Sequence, residues 1–205
     1  MNVSVPIFIR ERQKGFELQA LFDPSIEVRA SSLERGMSSF VREFRKTLKN
    51  LSLSPRQDEL SELLFCPDLR DRKLNLLLEL EKQTARVRLH AVEFNHFDRR
   101  IVFSPQIPDL WFEVNRGQTV TDRAQVVFLE YFKKFEAENE GIDVAEAFTL
   151  EGQAWVTTID LDFAPRKIAN LSRATGPAFA ILGGAEELDG ETELRAVGRC
   201  LDERY

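Results

Sequence analysis

The residues best placed to do chemistry are two aspartates in one extended stretch. Asp160 and Asp162 alternate with apolar residues in TTIDLDF, so a β-strand would place both carboxylates on the same face. Paired carboxylates can hold Mg²⁺ or Ca²⁺, or can act as acid and base in a hydrolase. A strand with one face in water shows the same pattern, and no third ligand lies nearby. The pattern therefore favours a solvated strand face, with a metal-dependent hydrolase as the alternative.

A second group of polar side chains lies in HAVEFNHFD, which contains His90, Glu93, His96 and Asp98. On a strand, His90 and Glu93 point to opposite faces, and His96 and Asp98 fall in the following turn. A metal site needs ligands that converge on one point. This spacing separates them, so we expect structural roles for all four.

Two aromatic and two basic residues are candidate contacts for a partner. Trp111 and Phe112 are adjacent, so a strand places one in the core and leaves the other exposed or covered by a helix. Arg86 and Arg88 lie in RVR, and exposed aromatic and arginine side chains are typical of protein-binding surfaces. The sequence nevertheless favours burial of both aromatics and an ordinary charged sheet face, with a partner-binding surface as the alternative.

No other motif indicates a catalytic, cofactor-binding or metal-binding residue. The glycine-rich GGAEELDG, residues 183–190, lacks the GxxxxGK[ST] pattern of a phosphate loop and carries acidic residues that repel phosphate. Cys66 and Cys200 lie far apart, without a CxxC motif, so we expect two buried or idle thiols rather than a disulfide or a zinc site. No cofactor is predicted for this chain.

The composition limits the possible partners. The net charge is −6, which argues against a nucleic-acid-binding protein, because such a protein needs a basic surface. No apolar run approaches the roughly 20 residues that cross a bilayer. At the N-terminus the apolar run precedes the charges, the reverse of a secretory signal. We therefore expect a cytoplasmic protein that contacts neither nucleic acid nor membrane.

The elements that must position these residues predict an α+β fold. Alternating apolar residues at 3–9 and 16–22 indicate a β-hairpin with its turn at Gly15. Short connections in the middle of the chain favour an antiparallel meander over a parallel sheet. The predicted strands are residues 26–30, 74–81, 86–91, 101–103, 110–114 and 153–163.

Two or three helices and a terminal connector complete the predicted fold. Ser31 and Glu34 have the spacing of a capping box ahead of one amphipathic helix. PRQDELSELLF, residues 55–65, predicts a second helix, and Thr119 caps a third. We expect a single domain over residues 1–180, a Gly/acid-rich linker at 181–190 and a connector helix at 191–205.

Three stretches resemble the N-terminal regions that precede the ATPase modules of bacterial Clp-type AAA+ ATPases. They are FCPDLRDRKLNLLLELEKQTARVRLHAVEF, PQIPDLWFEVNRGQTVTDRA, and AWVTTIDLD with the terminal ELRAVGRCLDERY. The predicted strands differ from the all-helical repeat domain that is familiar in that family, so no substrate-binding residue is transferred to this chain.

The resemblance implies a function in protein recognition. It implies a non-catalytic domain that binds protein substrates or adaptors and regulates an ATP-driven unfoldase. It also implies that the last helix continues into an ATPase module absent from this chain, and that the full-length protein is a hexamer using ATP and Mg²⁺. A stand-alone hydrolase using Asp160 and Asp162, and a scaffold or dimerisation protein, remain the alternatives.

Overall fold

The computed structural model describes residues 2–52, 63–149 and 152–162, and these fall into two compact units. The first unit holds the described residues up to Pro67 together with 152–162, and the second holds residues 68–149. Each unit contains one antiparallel sheet of four strands. The predicted α+β class, with an N-terminal hairpin and a central meander, is confirmed. The single domain to residue 180 stays a prediction.

The described elements follow the predicted order along the chain, except that the short helix at 144–148 was not predicted. The strands are β1 (Asn2–Arg12), β2 (Gly15–Ala20), β3 (Asp23–Ala30), β4 (Leu69–Glu79), β5 (Thr84–His96), β6 (Arg99–Ser104), β7 (Ile107–Glu113) and β8 (Ala154–Asp162). The helices are α1 (Leu33–Ser52), α2 (Val120–Glu138) and α3 (Val144–Phe148). None of the helices in this described part is long and apolar enough to cross a membrane.

Sheet A forms the first unit, in the order β3-β2-β1-β8. The hairpin register pairs Arg12 with Gly15 and Arg10 with Glu17. Gly15 has a φ of +139°, and a Cβ there would lie 2.1 Å from the carbonyl oxygen of Ala30. Only glycine fits this position, so the predicted turn residue is the one the fold requires.

Helix α1 packs its apolar stripe on one face of sheet A. Phe40, Phe44 and Leu48 are buried against the alternating apolar residues of the hairpin and of β8.

The capping box predicted at Ser31 is wrong by one residue, because the Ser32 hydroxyl accepts the hydrogen bond from Arg35 N, at 3.4 Å. Strand β3 also begins at Asp23, earlier than predicted; Pro24 is tolerated because β3 is an edge strand.

Sheet B forms the second unit as a meander, in the order β4-β5-β6-β7. Leucines at alternate positions of β4 and their cross-strand partners on β5 point toward α2, where Phe128 and Phe132 are fully buried. The side-chain oxygen of Thr119 accepts from Asp122 N at 3.1 Å and caps α2 as predicted. The face of sheet B that packs against α2 is called the α2 face below, and the opposite face is called the second face.

The predicted helix at 55–65 lies mostly outside the described residues, as do the linker at 181–190, the helix at 191–205 and Cys200.

Candidate functional site

The structure places the four predicted contact residues on two different faces of sheet B. Phe112 points to the α2 face, is 7% exposed, and meets the ring of Phe128 edge-on with centroids 5.9 Å apart. Trp111 points to the second face and is half-buried, stacked on Phe103 with centroids 4.1 Å apart. The adjacent aromatics therefore lie on opposite faces as predicted, and Phe112 belongs to the core.

Arg86 and Arg88 are exposed on the second face, where they frame an exposed leucine. The β4–β5 register places Leu77 directly opposite Arg86, and Asn75 directly opposite Arg88. Leu77 is 52% exposed, although its neighbours Leu76 and Leu78 are buried on the α2 face. We call Leu77, Asn75, Arg86 and Arg88 the β4–β5 patch.

The two arginines of the β4–β5 patch have their charges unpaired within the part of the chain that the structure describes. There, no carboxylate lies within 4.0 Å of Arg86 or Arg88. Other arginines of sheet B are paired: Arg72 Nε lies 2.9 Å from Glu93 Oε2, and Arg100 Nε lies 2.8 Å from Glu93 Oε1. The patch thus offers an exposed apolar side chain beside two guanidinium groups that are free for a partner.

The outer edge of β4 beside the patch is partly occupied. Gln125, on α2, donates its side-chain amide to the Leu77 carbonyl oxygen at 2.6 Å. An added strand would need that carbonyl group. The patch is therefore built for side-chain contacts rather than for strand addition.

The polar residues of HAVEFNHFD do not converge. His90 lies on the second face with its Nε2 2.6 Å from Asp71 Oδ1, whereas Glu93 lies on the α2 face among arginines. Burial lowers the pKa of His90, with Asp71 opposing this and Lys73 adding to it. Burial also lowers the pKa of His96, which lies at the end of β5 rather than in the turn as predicted.

The two aspartates lie on the exposed face of β8, as the alternation predicted. Asp160 and Asp162 are exposed, and the hydroxyl of Ser4 donates to Asp160 Oδ1 at 2.6 Å. Among residues 2–52, 63–149 and 152–162, no group of three His, Cys, Asp or Glu side chains has the geometry to hold a metal ion. Cys66 is exposed rather than buried, and its pKa is raised by partial burial and by the charge of Asp160.

One cluster that the sequence analysis missed surrounds Glu17. The carboxylate is almost fully buried on the face of sheet A opposite α1, where the side chains of Arg10, Arg12 and Arg29 all reach it. Burial alone would raise the pKa of Glu17, but the hydrogen bonds and charges of Arg10 and Arg12 outweigh it and lower the pKa below its usual value. The sequence could have indicated this cluster, because a hairpin whose second strand begins at Gly15 pairs Arg10 with Glu17.

An exposed aromatic residue, Phe97, lies in the two-residue turn between β5 and β6, and the turn accounts for its backbone angle. Phe97 is 83% exposed, has a φ of +52°, and rests its ring on that of His96 with centroids 4.5 Å apart. A two-residue hairpin loop requires left-handed backbone angles, so the positive φ follows from the tight connection.

Comparison with models of known protein families, with curated proteins and with solved structures gives no match to this chain. The function must therefore be argued from the geometry.

Proposed function

We propose that this chain is a non-catalytic protein-recognition module that binds protein substrates or adaptors through the β4–β5 patch. The observation that carries the proposal is the exposed leucine directly opposite Arg86 and diagonal to Arg88, two arginines without carboxylate partners. An exposed apolar residue beside unpaired guanidinium groups is complementary to a segment that presents apolar and acidic side chains on one face.

The energetics favour such a segment over a purely acidic or purely apolar one. Covering the exposed part of Leu77 contributes roughly 25 cal/mol for each Å² of apolar surface removed from water. Charge-assisted bonds from a guanidinium to a carboxylate are about twice as strong as neutral ones. Because Arg86 and Arg88 lie on alternate positions of one strand, an extended peptide can face them with acidic side chains at alternate positions. An apolar side chain two residues further along the peptide lies on the same face, where it can cover Leu77.

The resemblance to Clp-type N-terminal regions gives the proposal its cellular setting. In that setting the full-length protein is a cytoplasmic, hexameric, ATP-driven unfoldase. ATP and Mg²⁺ act in the ATPase module that follows, and this chain contributes recognition and regulation.

Fluorescence anisotropy with labelled synthetic peptides tests the proposal. The probe is a short peptide in which every second residue is serine and the residues between are leucine and glutamate, so that an extended chain presents both types on one face. The comparison peptide has lysine in place of glutamate. We expect saturable binding of the acidic peptide alone. The double variant Arg86→Glu and Arg88→Glu should weaken that binding by about tenfold or more, which corresponds to about 1.4 kcal/mol.

Two exposed arginines on α1 provide the matched control. Arg42→Glu with Arg45→Glu changes the net charge by the same amount on the first unit, outside the sheet that carries the patch. Binding should survive this change within about twofold. Equal loss in both double variants, equal binding of the basic peptide, or no binding of the acidic peptide would each overturn the proposal.

A further inference from the structure

An open depression lies at the turn end of sheet A, beside the buried Glu17. Its wall is built from the β1–β2 turn and from the end of β3, and Ser31 closes it just before α1 begins. The cationic side chains of Arg12, Lys14 and Arg29 line it together with Glu17. We call it the Glu17 depression.

Positive charge is in excess in and around the Glu17 depression. Four cations, from Arg10, Arg12, Lys14 and Arg29, meet two carboxylates, from Glu17 and Glu27. Within the described ranges, Lys14 has no carboxylate within 4.0 Å. The cations of this cluster therefore exceed its carboxylates by two.

Glu17 orients the arginines without using all of their donors. Arg12 Nη2 lies 3.1 Å from Glu17 Oε2, and Arg29 Nε lies 3.3 Å from the same oxygen. In the part of the chain described here, Arg12 Nη1 and both terminal nitrogens of Arg29 donate to no protein acceptor. The hydrogen bond of Arg29 Nε goes to Glu27 Oε1, at 2.8 Å. Arginines that carboxylates hold in place, with donors to spare, are pre-organised for a further anion.

We propose that the Glu17 depression binds a phosphate group, either the free ion or a phosphate monoester. A phosphate dianion neutralises the two excess positive charges, and its oxygens accept the spare hydrogen bonds of Arg12, Arg29 and Lys14. The site belongs to the first unit and is independent of the β4–β5 patch.

Titration of the whole chain with inorganic phosphate and with O-phosphoserine, at constant ionic strength, tests the proposal. Thermal unfolding should show a saturable rise in Tm, and calorimetry should give the dissociation constants. Tighter binding of O-phosphoserine assigns the site to phosphate monoesters, and tighter binding of inorganic phosphate assigns it to the free ion. Acetate, which carries one charge, should bind at least about tenfold more weakly.

Matched variants separate this site from general charge effects. Arg12→Gln with Arg29→Gln should weaken phosphate binding by about tenfold or more, while Arg10 still pairs with Glu17. Lys14→Gln, at an exposed position, should weaken it by about threefold with no effect on folding. The control Arg70→Gln with Arg72→Gln removes two arginines from the cluster around Glu93, on sheet B, and should leave binding unchanged.

The outcomes decide the proposal in either direction. It is overturned if phosphate gives no saturable response, if Lys14→Gln and the Arg12/Arg29 variant bind as the native chain does, or if the control loses binding equally.

Discussion

Glu17 shows how a buried carboxylate remains charged on a sheet. Three guanidinium groups replace the water that the carboxylate loses, so burial, which would raise its pKa, is outweighed and the pKa is lowered. Removing the carboxylate would leave these like charges facing one another. The cluster is therefore both a stabilising interaction and a source of pH dependence.

The lowered pKa of Glu17 fixes the sign of that dependence. In the unfolded chain the group titrates near about 4.3, and folding favours its charged form. Its stabilisation is thus present above about pH 4.3 and is lost as the pH falls through the lower, folded-state pKa. We predict that Glu17→Gln lowers the free energy of unfolding at pH 7 by about 1–2 kcal/mol.

In Glu17→Gln, the free energy of unfolding should also fall less steeply as the pH is lowered than it does in the native chain. Urea unfolding of native and Glu17→Gln chains at a series of pH values between neutral and acid measures both effects. Glu27→Gln, which changes a more exposed carboxylate on the same face, is the control. A variant whose stability falls with acidification as steeply as that of the native chain would contradict the assignment.

At the scale of the elements, the part of β5 that has no pairing with β6 forms its backbone hydrogen bonds with side chains instead of with a strand. Strand β6 pairs with β5 only over residues 92–96, so the preceding residues of β5 have an open edge. Gln106 accepts from His90 N at 2.6 Å and donates to the carbonyl oxygens of Arg88, at 3.4 Å, and Phe148, at 2.8 Å. Thr149 donates its hydroxyl to the Arg86 carbonyl oxygen at 3.4 Å. These contacts protect a strand edge that could otherwise pair with another chain.

We predict that Gln106→Ala lowers the free energy of unfolding by about 1–3 kcal/mol, because it leaves backbone groups of β5 and α3 without partners. Amide exchange of His90 should accelerate more than that of its neighbours. The control is Gln83→Ala, which removes one exposed hydrogen bond to the Ile142 carbonyl oxygen and should cost less than about 0.5 kcal/mol. Equal costs for the two variants would show that Gln106 does not close the edge.

Element types followed from the sequence, whereas the pairings that join distant segments did not. Alternation identified the strands of both sheets, and the polar face of β4 already included Leu77. Periodicity cannot show that β8 pairs with β1, because that pairing depends on packing across most of the chain. The role of Gln106 was missed for the same reason, since its contacts join a loop to β5 and to the end of α3. The cluster around Glu17 is local and could have been inferred from the register of the predicted hairpin.

At the scale of the whole molecule, the two units differ in how the chain builds them. The described part of the second unit is continuous: β4 to β7, α2, α3 and every residue of their shared core lie within 68–149. The first unit is interrupted, because β8 returns from beyond the second unit to pair with β1 from Asn2 to Arg10. Ile159 and Leu161 of β8 are part of its core.

This difference predicts the behaviour of two fragments. Residues 68–149 should fold alone, since a chain of about 80 residues with one complete core is well above the roughly 40 residues below which a domain usually needs extra stabilisation. Residues 1–67 should not, because β1 loses its β8 partner and the core loses Ile159 and Leu161. Circular dichroism and urea unfolding should show a cooperative transition for the first fragment and none for the second.

Adding a peptide of residues 152–162 to the fragment 1–67 should restore part of the lost structure, because it supplies the strand that the register requires. A scrambled peptide of the same composition is the control, since it keeps the charge and hydrophobicity but loses the alternation that places Ile159 and Leu161 in the core. If 68–149 shows no cooperative unfolding, the two units depend on each other and the chain is a single domain. If 1–67 folds without the peptide, β8 is an addition to a sheet that is complete with three strands.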